Sequence, residues 1–263
     1  MQTIARRSLI AVRKFAGAAF DLVLPGVCLG CGQAPALHKG LCQACNERLL
    51  AVVALPYCPR CGATVGPGLP VTFDGCRACP AVLPRFSSVV RLGPYAPPLR
   101  SLVRLAKYHR LPGMRGRLAD MLAVAAIVRL SGRVPDVVMP VPMHWRRRMW
   151  KGYDHARLLA AALAGKLRAP LGNELLRVRN TPPQVHLPRS RRIENVRNAF
   201  AVRNSACLRE ALVLLVDDVT TTGATACEAA RTLLDAGAAQ VVLAVVAKSE
   251  PPAAYADRQA STT

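Results

Sequence analysis

The stretch VLLVDDVTTTGAT, Val213–Thr225, runs from apolar residues into two adjacent acids, then into threonines around a single glycine. An apolar run of valine and leucine bounded by turn formers predicts a buried strand. The segment that continues from it, GATACEAARTLLDAGA, has apolar residues at helical spacing and stops at Gly237, so it predicts a helix. QVVLAVVAK, from Gln240, predicts another strand. Strand, helix, strand in that order implies a parallel sheet covered by helices. The alternation extends upstream. FSSVVRLG and DVVMPVP read as strands, and PPLRSLVRLAKYHR and MRGRLADMLAVAAIVRL as helices. MHWRRRMWKGYDHARLLAAALAGKL reads as a basic loop leading into a helix from about Asp154. RVRNTPPQVHLPRSRRIENVRNAFAV is polar and basic, with a short helix expected at Ser190 to Asn198. An α/β domain is therefore expected over residues 85–250, with a flexible tail over 251–263.

Ligands of parallel sheets bind at the carboxyl ends of the strands. Asp217 and Asp218 fall at such an end, and the loop Val219–Gly223 then enters a helix N-terminus. That terminus offers free N–H groups and a partial positive charge, which suit a phosphate. Thr220, Thr221, Thr222 and Thr225 add hydroxyls, Gly223 lets the backbone approach closely, and Ala224 opens the helix. The loop has neither the Gly-Lys-Ser/Thr of a Walker A loop nor the Gly-x-Gly-x-x-Gly of a dinucleotide turn. Two carboxylates for hydroxyls or a metal, followed by a phosphate cup, match a sugar phosphate. Capping of the helix alone would account for one acid, not for two acids with four threonines.

Eight of the ten cysteines form four C-x-x-C pairs before residue 80: Cys28–Cys31, Cys42–Cys45, Cys58–Cys61 and Cys76–Cys79. A two-residue gap lets both thiolates face one ion from a tight turn, and two such turns complete a tetrahedral site. Disulfides would need an oxidising compartment, and a redox C-x-x-C is normally single and lies near a βαβ unit. Two structural Zn²⁺ sites fit best, so residues 25–82 are expected to form a double zinc-ribbon module too small to fold without its metal. Sequential pairing is the simplest arrangement. Interleaved pairing, or a single ion, satisfies the spacing as well. Four thiolates leave no open coordination position, so the sites are expected to be structural. Cys207 and Cys227 lack a partner pattern and are expected to be small buried apolar residues.

The formal net charge is +21, from 36 Lys and Arg against 15 Asp and Glu. Only six of the cations are lysines, so a compositional bias toward arginine accounts for part of the excess. A surface this basic attracts polyanions, either nucleic acid or an anionic membrane. No apolar run is long enough for a transmembrane helix. Residues 1–24 mix Arg6, Arg7, Arg13 and Lys14 with apolar residues and are expected to form an amphipathic helix rather than a cleaved leader. A cytoplasmic location follows, with the inner face of the membrane as the surface such a helix and charge would touch.

VLLVDDVTTTGAT resembles the phosphoribosyl-pyrophosphate (PRPP) signature of type I phosphoribosyltransferases. With the cysteine pairs ahead of it, the whole chain resembles the ComF family, associated with DNA uptake in natural competence. Supporting stretches are VMPVPMHWRRRMWKGYDHARLLA and RNTPPQVHLPRSRRIENVRNAF. The family's Arg-Gly-Phe-Asn-Gln stands here as Lys151-Gly152-Tyr153-Asp154-His155, altered at four positions.

The resemblance implies a parallel sheet of type I phosphoribosyltransferase kind and binding of PRPP with Mg²⁺. Asp217 and Asp218 would hold the ribose hydroxyls and stabilise positive charge at the sugar, and Val219–Thr225 would hold the 5′-phosphate. The Pro140–Met143 loop, with Val141, would lie near the pyrophosphate, and Lys107, Arg147, Arg148 and Lys151 would neutralise its oxygens. Gln184, Arg192 and Asn195 would contact an acceptor or pin the segment over the sheet end. Two functions compete. One is a transferase that passes the phosphoribosyl group to an acceptor. The other is an inactive version of the fold that grips single-stranded DNA through arginines and Trp145, Trp150 and Tyr153. A third, weaker reading is an adaptor in which the zinc module docks a helicase-like partner.

Overall fold

The computed structural model describes residues 26–36, 40–66, 75–80, 82, 84–108, 112–182, 188 and 191–250, without the side chains of Tyr108, Pro112 and Lys151. The helix expected over 1–24, the tail over 251–263 and Gln184 lie outside the described residues.

The elements in order are α1 (Gln43–Val53), β1 (Ser88–Pro94), α2 (Leu99–Tyr108), α3 (Pro112–Arg129), β2 (Val137–Pro140), α4 (Trp145–Lys151), α5 (His155–Leu167), β3 (Leu175–Arg177), α6 (Arg191–Val196), β4 (Phe200–Val202), β5 (Leu212–Thr220), α7 (Ala224–Asp235) and β6 (Gln240–Lys248). A four-stranded sheet has the order β1-β6-β5-β2, with every neighbouring pair parallel. This is the α/β class that the strand–helix alternation predicts. The two-residue period of β5 divides its side chains between two cores. Leu212, Leu214 and Val216 pack with α2, α3 and α5, while Val213 and Leu215 pack with α7, Phe86 and the small β3–β4 pair.

Both edges of the sheet are covered, which blunts edge-to-edge association. On β1, the Val89 N–H donates to the Pro59 carbonyl of the second cysteine module at 2.7 Å. On β2, Val138 and the segment Pro170–Gly172 exchange hydrogen bonds of 2.8 and 2.9 Å. α1 rests on β1 so closely that a Cβ at Gly93 would lie 2.5 Å from the Val52 side chain. Leu41, Cys45 and Leu49 thereby join the main core, whereas the second module's own buried cluster, among the described residues, is Cys58, Cys61, Ala63 and Val65.

Four sequence expectations need correction. The basic run after Met143 is a helix, α4: the His144 Nδ1 accepts from the Arg146 N–H at its start, and Gly152 closes its end in the left-handed region. Its seven residues carry no apolar stripe, so periodicity alone reads it as loop. The strand carrying the acids runs on through Thr220, because Val219 and Thr220 still pair with Ala247 and Lys248. The loop proper is therefore Thr221–Gly223. The polar stretch after Arg177 contributes an antiparallel pair, β3–β4, besides its short helix. Cys207 is exposed and Cys227 half-buried rather than core residues.

Among the described residues no helix is long and apolar enough to cross a membrane.

Candidate PRPP site and zinc centres

The eight cysteines gather into two sets, Cys28/Cys31/Cys42/Cys45 and Cys58/Cys61/Cys76/Cys79, with the sulfurs of each set within 4.8 Å of one another. This is the sequential pairing. Cys58 Sγ lies 3.7 Å from Cys79 Sγ, and Cys61 Sγ 3.7 Å from Cys76 Sγ. That is far too long for a disulfide. It matches the edge of about 3.8 Å of a tetrahedron with four Zn–S bonds near 2.3 Å. Backbone N–H groups point at the sulfurs, as at an anionic thiolate: Cys42 and Gly30 to Cys28 Sγ at 3.2 and 3.3 Å, and Cys76 to Cys79 Sγ at 3.4 Å. Burial opposes ionisation of Cys28, but donors from Cys42, Cys31 and Gly30 bring its thiol down to about 6. The donor sets fit two structural zinc ions, which close the knuckle turns and leave no position for a reacting ligand.

β5 carries Asp217 and Asp218 to the carboxyl edge of the sheet. Both are half-buried. Their backbone is fixed locally, since the Asp218 N–H donates to Asp217 Oδ1 at 2.8 Å. Lys107, in the last turn of α2, reaches Asp218 Oδ2 at 2.7 Å. Burial alone would lower the Lys107 ammonium, but Asp218 and then Asp217 hold it above its ordinary value. Asp217 is pushed up to about 7, first by burial and next by the neighbouring charge of Asp218. A pair of adjacent carboxylates, one of them poised near neutrality, is an arrangement that gains from a hydroxyl donor or a divalent cation.

Beyond the acids, Gly223 adopts φ +79° and caps α7. A Cβ there would meet nothing closer than 3.8 Å, so its backbone angle, not crowding, requires glycine. Thr222 Oγ1 accepts from the Ala224 N–H at 3.4 Å. Arg192 on α6 donates to Thr221 Oγ1 at 3.0 Å, and Lys248 at the end of β6 donates to the Thr221 carbonyl at 3.2 Å. Two cations thus border the loop, and the first N–H groups of α7 have no acceptor within the helix. The arrangement is suited to an anion.

Other expected residues divide. Val141 is buried at the end of β2, its N–H on the Val216 carbonyl at 2.8 Å, which sets the Pro140–Met143 loop beside Asp217. Asn195 donates to the Pro182 carbonyl and so pins the covering segment. Arg147 donates to the Thr181 carbonyl. Arg148 lines a separate cleft of about 420 Å³ with Trp145, Asp154, Arg157 and Arg177, a cleft that Asp217 and Asp218 do not line. Asp154 in the altered Lys151–His155 motif serves the fold: it caps α5 through the Arg157 N–H at 3.2 Å and accepts from Met143 at 3.3 Å. Lys151 is placed on α4, its side chain outside the described set.

Three residues near the acids have no role that the sequence alone suggests. Arg115 and His155 line a small crevice with Lys107 and Asp218. Arg177, on the three-residue β3, feels burial, Arg147 and, in the opposite sense, Asp217. Arg115 and Arg177 lie in no motif, and His155 figures only as an altered motif position, so only the tertiary fold reveals them. The Lys107–Asp218 contact carries a testable consequence. Lys107→Met leaves two facing carboxylates without their counter-charge, and should cost about 1–3 kcal/mol in urea unfolding at pH 8. The loss should shrink at pH 5, where Asp217 is protonated. An equal loss at both pH values would contradict the electrostatic role.

Comparison with known proteins places these features. Residues 19–83 match the double zinc ribbon domain. The DNA utilization protein YhgH of Salmonella typhi is 36% identical over 227 residues, 84% of this chain and 96% of that protein. Its Escherichia coli K12 counterpart is 33% identical over 228 residues, with the same coverage. Competence protein F of Haemophilus influenzae is 31% identical over 224 residues, 81% of this chain and 93% of the relative. Among solved structures, the glutamine PRPP amidotransferase from B. subtilis, complexed with ADP and GMP, matches at 23% identity and TM-score 0.34, over 50% of this chain and 25% of the other. TT1426 from Thermus thermophilus matches at 22% and 0.33, over 56% and 78%. Superpositions with such scores add nothing to what the strand order shows. The sequence relatives are decisive, because the identity is sustained across more than nine-tenths of each of them: this chain belongs to the ComF family.

Proposed function

We propose that this protein binds PRPP with Mg²⁺ at the carboxyl end of β5 and serves in DNA uptake or in processing imported single-stranded DNA, with transfer of the phosphoribosyl group to an acceptor as its chemistry. The observation that carries the reading is the succession of Asp217 and Asp218 near the end of β5, the Thr221–Gly223 turn and the N-terminus of α7. In this reading Asp217 and Asp218 accept hydrogen bonds from the ribose hydroxyls. The threonine hydroxyls and α7 N–H groups take the 5′-phosphate. Positive charge developing at C1′ as pyrophosphate leaves would be stabilised by the two carboxylates, and the half-protonated Asp217 would suit a proton acceptor. Carboxylate oxygens suit Mg²⁺, which would supply charge neutralisation on the pyrophosphate.

A second reading, in which the same fold is catalytically inactive and binds single-stranded DNA, has its own support. α4 exposes Trp145, Met149 and Trp150 at 54, 75 and 86% between three arginines. Large apolar side chains are seldom left this open unless a partner covers them, and arginine with tryptophan is a combination for phosphate contact and base stacking.

One experiment separates the readings: calorimetric titration with PRPP and Mg²⁺, repeated with a saturating single-stranded oligonucleotide. PRPP should bind wild type, and Asp217→Asn/Asp218→Asn should lose it by about 100-fold or more. Absence of binding to wild type overturns the ligand assignment. Oligonucleotide affinity should fall steeply with salt, and Trp145→Ala/Trp150→Ala should weaken it by about 1–3 kcal/mol per stacked base lost. Salt-independent binding, or none at low salt, removes the DNA reading.

A further inference from the structure

The second cysteine module touches the phosphate-loop side of the domain through a small set of polar contacts. Thr64 closes the hairpin that carries Cys58 and Cys61, pairing with Tyr57. Its N–H and Oγ1 both donate to the Glu250 carboxylate, at 2.6 and 2.5 Å. Arg91, whose side chain is wholly buried on β1, donates to Thr64 Oγ1 at 2.7 Å and pairs with Glu250 at 3.5 Å. The guanidinium also stacks over Tyr57, 5.0 Å from the ring centre. A buried arginine and carboxylate with only 4% exposure are a costly pair unless their geometry is fixed. Here three elements fix it: the zinc hairpin, the edge strand β1 and the segment just past β6.

Glu250 lies two residues beyond Lys248, and this short segment reaches the phosphate loop. The Ser249 N–H donates to the Thr220 carbonyl at 2.8 Å, and Lys248 Nζ donates to the Thr221 carbonyl at 3.2 Å. The knuckle also leans on the lysine stem. A Cβ at Gly62, next to Cys61, would lie 3.1 Å from Val89 and 3.5 Å from Lys248 Cδ. One end of the segment is thus clamped by the hairpin, and its other end holds the last carbonyl of β5 and the first of the loop.

We propose that the second zinc knuckle sets the geometry of the Thr220–Gly223 loop through Thr64, Glu250 and Lys248, so that order at the knuckle and anion binding at the loop are coupled. The proposal rests on the reading of the loop as a phosphate cup. Thr64, Glu250 and Lys248 are positioning residues in it: none is asked to touch the ligand's reacting atoms. Coupling is reciprocal, so inorganic phosphate at the loop should also slow zinc loss from the second cluster and not from the first.

The test uses the zinc-loaded full chain. Thr64→Val keeps shape and removes the hydroxyl, and Thr64→Ser restores it. Amide hydrogen exchange over residues 219–225 should quicken about 5-fold or more in T64V, with two zinc ions retained, and return toward wild type in T64S. Inorganic phosphate, the probe for the loop that takes the 5′-phosphate, should bind T64V more weakly by a similar factor. Glu250→Gln carries the same prediction with the ribbon's own residues intact, and decides the matter if T64V loses zinc. Loop exchange equal to wild type in both T64V and E250Q overturns the proposal. Wild type that binds neither inorganic phosphate nor PRPP would overturn the phosphate-cup reading instead, and the exchange arm would still report on the coupling.

Discussion

Cys61→Ser is expected to reduce bound zinc from two ions per chain to one and to unfold the second knuckle while the α/β domain persists. The reason is the poverty of that module's own core. Among the described residues its buried cluster is four residues, two of them metal ligands. Structural zinc contributes about 10–16 kcal/mol of binding free energy in small modules, and nothing in this cluster can replace it. The first module differs, because Leu41 and Leu49 anchor it in the main core, with α1 lying on β1. Cys31→Ser should therefore leave α1 protected from proteolysis, whereas Cys61→Ser should open residues 56–80. Loss of the second knuckle would also uncover the β1 edge that Pro59 now caps, so the variant should self-associate. Zinc by elemental analysis, limited proteolysis and light scattering report the three effects. An unchanged cleavage pattern in zinc-depleted Cys61→Ser would refute the structural role.

The legibility of this chain followed the range of the interactions involved. VLLVDD, QVVLAVVAK and the helix after Gly223 were readable because burial of a parallel strand and a helical stripe impose local patterns. The cysteine pairs were readable because a tetrahedral ion dictates local spacing; spacing favoured sequential pairing without excluding the interleaved one, and the fold brings Cys42 to Cys28, the sequential arrangement. α4 failed the test of periodicity because Trp145, Arg146, Arg148, Met149 and Trp150 are all exposed, and its ends are set by a histidine cap and a left-handed glycine. β3 and β4 are three residues each, below the length at which alternation can be counted. Arg91 is the plainest case. A charged residue in a β-strand reads as a surface position, yet it is buried against Glu250, 159 residues away. Lys107 reaches Asp218, and Arg177 feels the charge of Asp217, by the same long-range route; the family resemblance named Lys107 for pyrophosphate oxygens and not for the acid it pairs with.

Asp217→Asn is expected to stabilise the ligand-free protein at pH 8 while abolishing its proposed function. Asp217 in the fold holds its proton up to about pH 7, against an ordinary value of 3.8. The cause is burial first and the Asp218 charge second, only partly offset by the Asp218 N–H and by Lys107. Below the ordinary value, folded and unfolded chains are both protonated at this site and nothing is lost. As pH rises toward 7, the unfolded chain ionises freely while the folded one resists, so stability falls through that window. Above 7 the carboxylate is charged in both states, and the full penalty is present. A displacement of this size corresponds to at most about 4 kcal/mol. Allowing for relaxation and for Asn's own desolvation, a gain of about 1–3 kcal/mol remains, or a rise of several degrees in Tm. At pH 4 the gain should vanish. Zinc release at low pH affects wild type and variant alike, so the difference between them is the quantity to measure, by urea unfolding at pH 4, 6 and 8. A stability difference that does not grow with pH would show that Asp217 bears no such strain. If the gain appears at pH 8 and PRPP with Mg²⁺ binds wild type but not Asp217→Asn, the side chain is kept as an acid for binding, at the expense of the empty fold.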